Sequence, residues 1–503
     1  MGTTLMQTSY SVNIKERLDF SCALFDPDGN LIANAPHVPV HLGSMSESVK
    51  SIIDGSNEMK PGDVFMTNAP YNGGTHIPDV TVITPVFKEE DYTNGGNNAD
   101  KKPLFYVASR GHHSEIGGIT PGSMPPFSRS IEEEGILVDN FKLVDQGTLR
   151  EKETVELFSN HKYPSRNVDQ NLSDLRAQIA ANTAGIVELH KMTKQFGLDT
   201  VQAYMGHVQD NAEESVRRVI DALEDGEFTY EMDSDEDGTP FVKVKVTVDK
   251  ENRNATIDFT GTANQQPTNF NAPKAIAIAA VIYVFRTLVN DRIPLNAGCL
   301  KPLNLILPEG SMVNPLHPAA VVAGNVEVSQ TVTDCLYGAL GRLAGSQGTM
   351  NNFTFGNEEG LNYYETICGG TGAGPDHHGQ HAVHSHMTNT RLTDPEILEF
   401  RFPLTLESFG VREGSGGKGQ FDGGDGIVRK IKFNEPMTVS MLANRRKIAP
   451  FGLNGGEDGS LGKNYLLKTN DEIVEIGHRG SVEVETGDMF VIKTPGGGGY
   501  GKK

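Results

Sequence analysis

Short apolar runs separated by turn residues fill the first part of the chain and predict β-strands. The run Ser21 to Phe25, the turn Asp26 to Asn30 and the run Leu31 to Ala33 predict a hairpin, because Asp, Asn and Gly accept positive φ. Two more apolar runs, Val80 to Phe87 and Leu104 to Ala108, predict further strands. The polar insert between them is expected to form a mobile surface loop.

The middle of the chain changes to helical periodicity. Leu172 to Leu223 predicts helix that begins near Ser173-Asp174 and is broken at Gly197. The most apolar window, Ala275 to Val289, is shorter than the roughly 20 residues that span a bilayer and is interrupted by an arginine, so it predicts a buried helix. A further helix is expected at Val326 to Leu343.

Alternation of apolar and polar residues returns in Val242 to Val248 and in Ala255 to Phe259, and both runs predict strands. After about Gly369 the chain is rich in glycine and turn residues, with short strands between them. We therefore predict an α+β protein with a β-rich N-terminal region, a helical middle and a glycine- and turn-rich β C-terminal region. The expected regions are a β-rich part with candidate metal ligands at 1–150, a helical part at 151–225, an α+β part at 226–320, and a helix followed by glycine-rich β structure at 321–503.

The charge balance excludes one class of ligand. The chain has 44 Lys and Arg against 65 Asp and Glu, a net charge of −21, so it lacks the basic surface that binds nucleic acid. Its start shows neither a secretory signal nor a membrane anchor. The four cysteines are far apart and form no CxxC pair, which favours buried thiols in a reducing compartment. These features predict a cytoplasmic protein with no nucleic-acid or membrane partner.

The segment Tyr71 to Asp79 runs into a predicted strand and holds a histidine and a carboxylate that can ligate one ion. Pro78 disfavours helix, so His76 and Asp79 are expected on a loop just ahead of that strand. The next strand ends in the residues 109–115, SRGHHSE, and this second loop supplies a third ligand if the two strands are neighbours. Two histidines and one carboxylate leave coordination positions open, as a catalytic ion requires. The alternative from spacing alone is a set of solvated loop histidines.

A second cluster of histidines lies in the C-terminal region. Its members are His377, His378, His381, His384 and His386. Such a tract is typical of metal binding, but no carboxylate follows before Asp394, so contacts to substrate or partner are favoured. The alternation of the last two histidines around a serine predicts a strand that presents both on one face.

Three glycine-rich segments, residues 414–419, 422–426 and 495–501, suggest a phosphate-binding loop, but that interpretation fails. The motif GxxxxGK[ST] does not occur, and none of the segments precedes an apparent helix. We expect turns of a β-rich region instead. Cys368 is interpreted as a buried structural thiol rather than as a nucleophile, and no GxSxG motif supports a serine hydrolase.

Several long stretches resemble the hydantoinase B/oxoprolinase family, in particular the half of its ATP-dependent oxoprolinases that follows the ATPase. They are NIKERLDFSCALFDPDGNLIANAPHVPVHLGSM, GGTHIPDVTVITPVF, FYVASRGHHSEIGGITPGSMPP, NLSDLRAQIAAN, VQAYMGH, VHSHMTNTRLTDPEILE and TPGGGGYG. The resemblance extends over essentially the whole chain. Its long runs are specific, whereas many families share the glycine turns.

The resemblance implies a division of labour between two halves. A hydantoinase A-like subunit or fused N-terminal half binds ATP and phosphorylates the substrate, and the half seen here completes the reaction at a divalent metal. In related carboxylase subunits the ion is held by His-x-x-Asp and a later histidine, which correspond here to His76, Asp79 and His112. His112 is preferred to His113 because the family often has an aromatic residue at the second position. Zinc, manganese and iron all suit these ligands.

The implied reaction is the ATP-dependent opening of a cyclic amide, 5-oxo-L-proline, to L-glutamate. ATP activates the lactam oxygen, water attacks and the ring opens. Carboxylates can carry the protons and guanidinium groups can pair with the substrate carboxylate, although structural salt bridges are an equal alternative for the arginines. The expected residues are Glu115 and Glu134 as proton carriers, and Arg110, Arg391, His384 and His386 as substrate contacts.

Two other interpretations stay open. In one, the substrate is N-methylhydantoin or a related cyclic amide. In the other, the chain is a non-catalytic scaffold for the ATPase half. Compared with the family, the chain is expected to begin inside a helix that includes Thr3 to Thr8, as a fragment of a longer fused enzyme would, and a higher oligomer is expected.

Overall fold

The first sheet is seven-stranded and antiparallel, with the strand order β2-β1-β5-β4-β3-β6-β7. The structure is a computed structural model, and it describes residues 1–35, 37–56, 58–92, 101–236, 238–357 and 359–503. The strands are β1 Phe20–Phe25, β2 Leu31–Asn34, β3 Val64–Thr67, β4 Asp79–Val86, β5 Phe105–His112, β6 Phe141–Asp145 and β7 Thr148–Leu149. The predicted hairpin and the two later strands are confirmed, and β4 and β5 are neighbours. Part of the predicted mobile loop, residues 93–100, lies outside the described residues.

Helices cover both faces of this sheet. Helix α3, Pro39–Gly55, packs Met45 and Val49 on one face, and helix α5, Val168–Phe196, packs Leu175 on the other. Because both faces are covered, every residue of β4 is buried, which explains its near-continuous apolar sequence. Three more helices complete this part of the chain: α1 Gly2–Thr8, α2 Val12–Lys15 and α4 Glu151–Ser159.

The long helical region consists of two helices, α5 and α6 Leu198–Asp221. The predicted break is confirmed at Gly197, whose φ of 85° is unfavourable for residues with a side chain. Helix α5 begins earlier than the predicted start at Ser173-Asp174. Its N-cap is Asn167, whose side chain accepts a hydrogen bond of 3.2 Å from the Gln170 N–H.

The second sheet has the order β11-β10-β9-β8, and helix α8, Ser329–Ala339, packs on its strands β8 and β9. Helix α7, Lys274–Leu288, packs against α8 and α3. Its strands are β8 Gly226–Glu231, β9 Phe241–Asp249, β10 Asn254–Asp258 and β11 Leu303–Ile306. Helix α7 is buried around most of its circumference, which confirms the predicted buried helix. It crosses α3 at Gly43, where a Cβ would lie 2.4 Å from the Ala279 Cα, so glycine permits the close approach of the two helices.

The C-terminal region contains two further sheets, of orders β13-β12-β16-β19 and β14-β15-β20-β17-β18. Their elements are β12 Asn352–Gly356, β13 Asn362–Glu365, α9 Pro395–Arg401, β14 Leu404–Val411, β15 Ile427–Phe433, β16 Met437–Leu442, β17 Lys463–Leu467, β18 Ile473–Glu475, β19 Arg479–Val484 and β20 Met489–Lys493. The α+β class is confirmed. Across the described ranges, no helix combines the length and apolarity needed to cross a bilayer.

Many glycines of this region serve close backbone packing rather than turns. A Cβ on Gly497 would lie 1.9 Å from the Thr371 carbonyl oxygen, and one on Gly424 would lie 1.9 Å from that of Gln380. The Gly497 N–H donates to the Gly424 carbonyl at 2.9 Å. The turn prediction is wrong at these two positions, because segments distant in sequence pack there without room for a side chain.

Candidate metal centre

Asp79 and His112 are paired across β4 and β5, and the loop that enters β4 brings His76 beside them. His76 Nε2 lies 3.0 Å from Asp79 Oδ1, and His112 Nδ1 lies 3.2 Å from the same oxygen. All three side chains are buried, and one ligand atom of each lies within 4.8 Å of the others. In the part of the chain that the structure describes, no second group of His, Cys, Asp and Glu side chains is arranged in this way.

Strand alternation separates the two consecutive histidines. His112 projects toward the face covered by α3, where Asp79 also projects. His113 projects toward α5, with Nε2 3.1 Å from Gln178 Oε1 and Nδ1 3.1 Å from Asn171 Nδ2. Since successive side chains of an extended segment point to opposite faces, only the first histidine reaches the carboxylate.

The second oxygen of Asp79 is held by groups outside the trio. Oδ2 accepts hydrogen bonds from the Thr75 hydroxyl at 2.7 Å and from Asn325 Nδ2 at 3.3 Å. His41 of α3 approaches the same oxygen, with Nε2 at 3.3 Å. These contacts fix the carboxylate so that Oδ1 faces His76 and His112.

Burial and neighbouring charges shift the pKa values of Asp79 and His112. Burial alone would raise the pKa of Asp79, but the surrounding histidines, His76 and then His41, hold that pKa well below its ordinary value. For His112, burial lowers the pKa, and the hydrogen bond with Asp79 opposes this shift. An ionised carboxylate and a neutral imidazole are the forms that bind a metal ion.

Asn325 reaches the trio from a π-helical turn, Gly324–Val328, which leads into α8. Glu134 holds the segment before this turn, because its carboxylate accepts the N–H groups of Val321 and Val322 at 2.9–3.0 Å. Burial raises the pKa of Glu134 to about 7, while these hydrogen bonds oppose the shift. The structure therefore places Glu134 next to the site as an anchor of the turn.

His112 connects the trio to the C-terminal sheets. Its ring stacks on Tyr364 of β13, with centroids 4.7 Å apart, and the Arg17 guanidinium lies 4.8 Å from the centroid of the same tyrosine ring. The Tyr364 hydroxyl donates to Asn352 Oδ1 at 2.8 Å, and Asn352 Nδ2 donates to Glu327 Oε1 at 2.7 Å. Burial raises the pKa of Glu327 to about 8, so its carboxyl is protonated at neutral pH.

With the Asn325 amide in its present orientation, neither protonation state of His76 Nε2 satisfies both of its neighbours, whereas a metal ion does. His76 Nε2 faces an acceptor, Asp79 Oδ1, at 3.0 Å and a donor, Asn325 Nδ2, also at 3.0 Å. A protonated Nε2 would oppose the amide donor, and an unprotonated Nε2 would oppose the carboxylate oxygen. An ion bound to Nε2 and Oδ1 together removes this conflict, so His76, Asp79 and His112 suit a divalent ion.

Glu115, the other predicted proton carrier, lies in a separate hydrogen-bonded loop. Its carboxylate accepts the N–H groups of Gly117 at 2.7 Å and Gly122 at 3.1 Å, and it pairs with Arg166 at 3.2 Å. Burial raises its pKa, although Arg166 and the backbone donors oppose the shift. These contacts occupy both carboxylate oxygens in holding the loop.

The two predicted substrate-binding arginines are in different surroundings. Arg110 is fully buried between β5 and α3 and donates to Thr81, Ser44 and Ser48 at 2.6–2.7 Å. Burial lowers the pKa of Arg110 to about 10, and Asp79 opposes the shift, so the guanidinium stays charged near the trio. Arg391 is exposed, and its backbone N–H donates to the Arg17 carbonyl.

His384 and His386 line a cavity of about 490 Å³ together with Tyr283 and Tyr337. The predicted strand is wrong, because His386 has a left-handed backbone with φ of 55° that turns the chain. His386 Nε2 lies 2.9 Å from Asp334 Oδ1. Both ring nitrogens of His384 are buried and find no hydrogen-bond partner among the described residues, and burial lowers its pKa to about 4.

Two other histidines of the tract accept hydrogen bonds from the backbone of a glycine-rich segment. His378 Nδ1 accepts the Asp422 N–H at 2.8 Å, and His381 Nδ1 accepts the Asp425 N–H at 2.8 Å. Cys368 is buried, as predicted, and burial raises its pKa to about 11, which is unfavourable for a nucleophile.

Three residues of the site were not predicted from the sequence: His41, Asn325 and Tyr364. His41 lies in a stretch that carries the family resemblance, but no spacing relates it to His76. Asn325 is an amide inside an apolar helical run, and a polar residue in such a run is a usable signal of a buried polar contact. Tyr364 gave no signal, because its stacking on His112 depends on the packing of distant sheets.

Comparison with known proteins identifies the family and the fold of the chain. The profile of the family described as hydantoinase B/oxoprolinase matches residues 1–503. The chain is 49% identical over 522 residues to 5-oxoprolinase 1 of Arabidopsis thaliana and 48% identical over 511 residues to the 5-oxoprolinase of Dictyostelium discoideum. Each alignment includes the whole of this chain, which spans 40% of the plant protein and 39% of the Dictyostelium protein.

A solved structure shows the same fold. The crystal structure of ATP-dependent caprolactamase from Pseudomonas jessenii superposes with a TM-score of 0.87 at 23% identity. The match covers 99% of this chain and 88% of that one. The chain therefore has the same overall fold as that crystal structure.

Proposed function

Because the chain belongs to the hydantoinase B/oxoprolinase family, we propose that it is the metal-bearing half of an ATP-dependent cyclic amide hydrolase. The proposed reaction converts 5-oxo-L-proline to L-glutamate. The observation that carries the proposal is the buried trio of His76, Asp79 and His112, in a chain 49% identical to part of a 5-oxoprolinase. The cytosol is the proposed location, supported by four buried cysteines that form no disulfide in the described chain.

ATP is proposed to bind to a separate part of the enzyme. The sequence contains no GxxxxGK[ST] motif, and the chain spans about 40% of the plant relative. A fused N-terminal half or a hydantoinase A-like subunit accounts for the remaining part and for the ATP-dependent step. Assembly into a higher oligomer belongs to the same proposal.

The reaction is proposed to begin with transfer of a phosphoryl group from ATP to the lactam oxygen. Water then adds to the activated carbon, the ring C–N bond breaks, and phosphate and glutamate leave. A divalent zinc, manganese or iron ion held by His76, Asp79 and His112 supplies Lewis acidity and lowers the pKa of bound water. Glu134, with a pKa near 7 beside the trio, suits a proton carrier, and Glu115 is the second candidate.

Substrate contacts are proposed for two histidines and two arginines. His384 and His386 are supported by their position on one cavity of about 490 Å³. Arg110 is supported by its positive charge near Asp79. Because its side chain is buried, it would attract the substrate carboxylate by long-range electrostatic attraction rather than by a direct hydrogen bond. Arg391 is supported by its exposed guanidinium.

The test is an assay of the chain together with its ATP-binding half, with glutamate and ADP both measured. With 5-oxo-L-proline, both products should form in equal amounts, and His76→Ala should abolish glutamate formation. The matched control is His207→Ala, which removes an exposed histidine of α6. Turnover of N-methylhydantoin but not of 5-oxo-L-proline would replace the proposed substrate, and ADP formation without ring opening by a metal-free chain would overturn the catalytic role.

A further inference from the structure

We propose that Asn325 is a fourth protein ligand of the ion, bound through its side-chain oxygen. The inference rests on the metal centre of the proposed function. It starts from the position of the Asn325 amide, whose Nδ2 lies 3.0 Å from His76 Nε2 and 3.3 Å from Asp79 Oδ2. Its Oδ1 is buried and meets no hydrogen-bond donor within the ranges that the structure describes.

The backbone fixes Asn325 in this position. The preceding residue, Gly324, lies so close to another segment that a Cβ there would be 1.9 Å from the Asn271 carbonyl oxygen. On the other side, Glu134 binds the N–H groups of Val321 and Val322. The residue itself lies in a π-helical turn, a feature frequent at functional sites. The amide is therefore held at the trio by packing from two sides.

Metal binding and the present amide orientation compete for the same lone pair. His76 Nε2 has one lone pair, which cannot accept a hydrogen bond from Asn325 and bind an ion at once. When the ion is bound, the amide N–H loses this partner. A half-turn about the Cβ–Cγ bond then exchanges nitrogen and oxygen, and the two orientations have nearly the same shape.

After this half-turn, Oδ1 occupies a ligand position. It takes the place of Nδ2, about 3 Å from the donor atom of His76, which is the separation expected for two ligands on one ion with bonds of about 2.1 Å. Asp79 Oδ2 loses the amide donor but keeps the Thr75 hydroxyl at 2.7 Å. The ligands are then two imidazoles, one carboxylate and one amide oxygen. The added amide oxygen is a hard ligand, so this set favours manganese over zinc more than the trio alone does.

The test measures binding of Mn²⁺ alone and of Zn²⁺ alone to the 503-residue chain, by competition with a chelator. Asn325→Ala should weaken Mn²⁺ binding at least about tenfold and Zn²⁺ binding less. Asn325→Asp should retain or tighten Mn²⁺ binding, because a carboxylate oxygen replaces the amide oxygen. Asn182→Ala, which removes a buried amide that binds the backbone of β4, should leave both affinities unchanged. Thermal unfolding of the metal-free proteins checks that each variant folds.

Two results would overturn the proposal. One is an Asn325→Ala protein that binds Mn²⁺ within twofold of the unsubstituted chain. The other is an Asn325→Asp protein that loses Mn²⁺ as strongly as the alanine variant, since the amide would then act only as an N–H donor. If the unsubstituted chain binds neither ion, the metal centre of the proposed function fails and this ligand fails with it. If the chain binds ions normally and only the Asn325 variants show no effect, the metal centre stands and this ligand alone fails.

Discussion

Asp79 and His112 lie directly opposite each other in adjacent antiparallel strands, with Oδ1 and Nδ1 3.2 Å apart. The contact exists because the pairing register places both side chains on the same face of the sheet, toward α3. A slip of one residue would send one of them to the other face. The geometry of the candidate metal centre is thus a property of the β4–β5 register.

The carboxylate charge of Asp79 should control metal affinity. Asp79→Asn preserves the size of the side chain but removes its negative charge, so we expect Mn²⁺ affinity to fall by more than about 100-fold. Equilibrium dialysis with metal analysis measures the change, and circular dichroism checks the fold. His207→Ala should bind as the unsubstituted chain does. Full metal content in the asparagine variant would remove Asp79 from the ligand set.

The Thr75 hydroxyl should orient the ligand without touching the ion. Thr75→Val is nearly isosteric and removes the 2.7 Å hydrogen bond to Asp79 Oδ2. Groups that orient a ligand in this way typically contribute about 10- to 100-fold to metal affinity, and we expect a loss in that range. The control is Thr183→Val on the exposed side of α5. An unchanged dissociation constant for Thr75→Val would show that Asp79 is oriented by its other neighbours.

Glu327 should make stability fall as pH rises. Burial raises its pKa from an ordinary 4.5 to about 8, so between these values the folded state holds a proton that the unfolded chain has lost. Raising the pH through this window therefore lowers the free energy of unfolding, and the total decrease is on the order of a few kcal/mol. Glu327→Gln keeps an oxygen to accept from Met350 N–H and Asn352 Nδ2 and should remove this part of the dependence.

Unfolding midpoints at about pH 5 and about pH 8.5 measure the effect. The glutamine variant should gain stability relative to the unsubstituted chain at the higher pH only. Glu134, whose pKa is also raised, contributes in the same direction and is present in both proteins. The exposed Glu407→Gln serves as the control. If both proteins lose stability in parallel, Glu327 is not the titrating group.

Two glycines should respond oppositely to the same substitution. Gly497→Ala places a Cβ 1.9 Å from the Thr371 carbonyl oxygen, and we expect a loss of at least about 1–3 kcal/mol in the free energy of unfolding. Gly206→Ala lies on the exposed surface of α6 with no atom within 4 Å of the new Cβ, and should stabilise by about 1 kcal/mol. Denaturant unfolding measures both. Equal tolerance of the two changes would contradict the close backbone packing.

Secondary structure could be predicted where local pattern and burial coincide. The hairpin of β1 and β2, the break at Gly197 and the buried helix α7 each carry a signal within a few residues, and all three are confirmed. The predicted strand at His384 and His386 was wrong because the alternation of histidines does not reveal the left-handed backbone of His386. The fourfold division of the chain into regions stays a prediction.

The sequence by itself determined the family and the α+β class and offered His76, Asp79 and two consecutive histidines as candidate ligands, because these features depend on short motifs and on the order of elements. The choice of His112, the last residue of β5, over His113, which follows it, came from the family resemblance. Only the tertiary structure gave the physical reason for preferring His112. Successive side chains point to opposite faces of the sheet, so His112 lies beside Asp79 and His113 lies beside Gln178.

The tertiary structure alone decided the surroundings of the trio. Asn325 lies 246 residues from Asp79 in sequence, and no local pattern encodes a contact between them. It is made by the packing of the π-helical turn between Glu134 and the segment of Asn271, just as the glycine packing is made by segments that are distant along the chain. Long-range packing fixes such contacts, and periodicity and motif spacing describe only what is near in sequence.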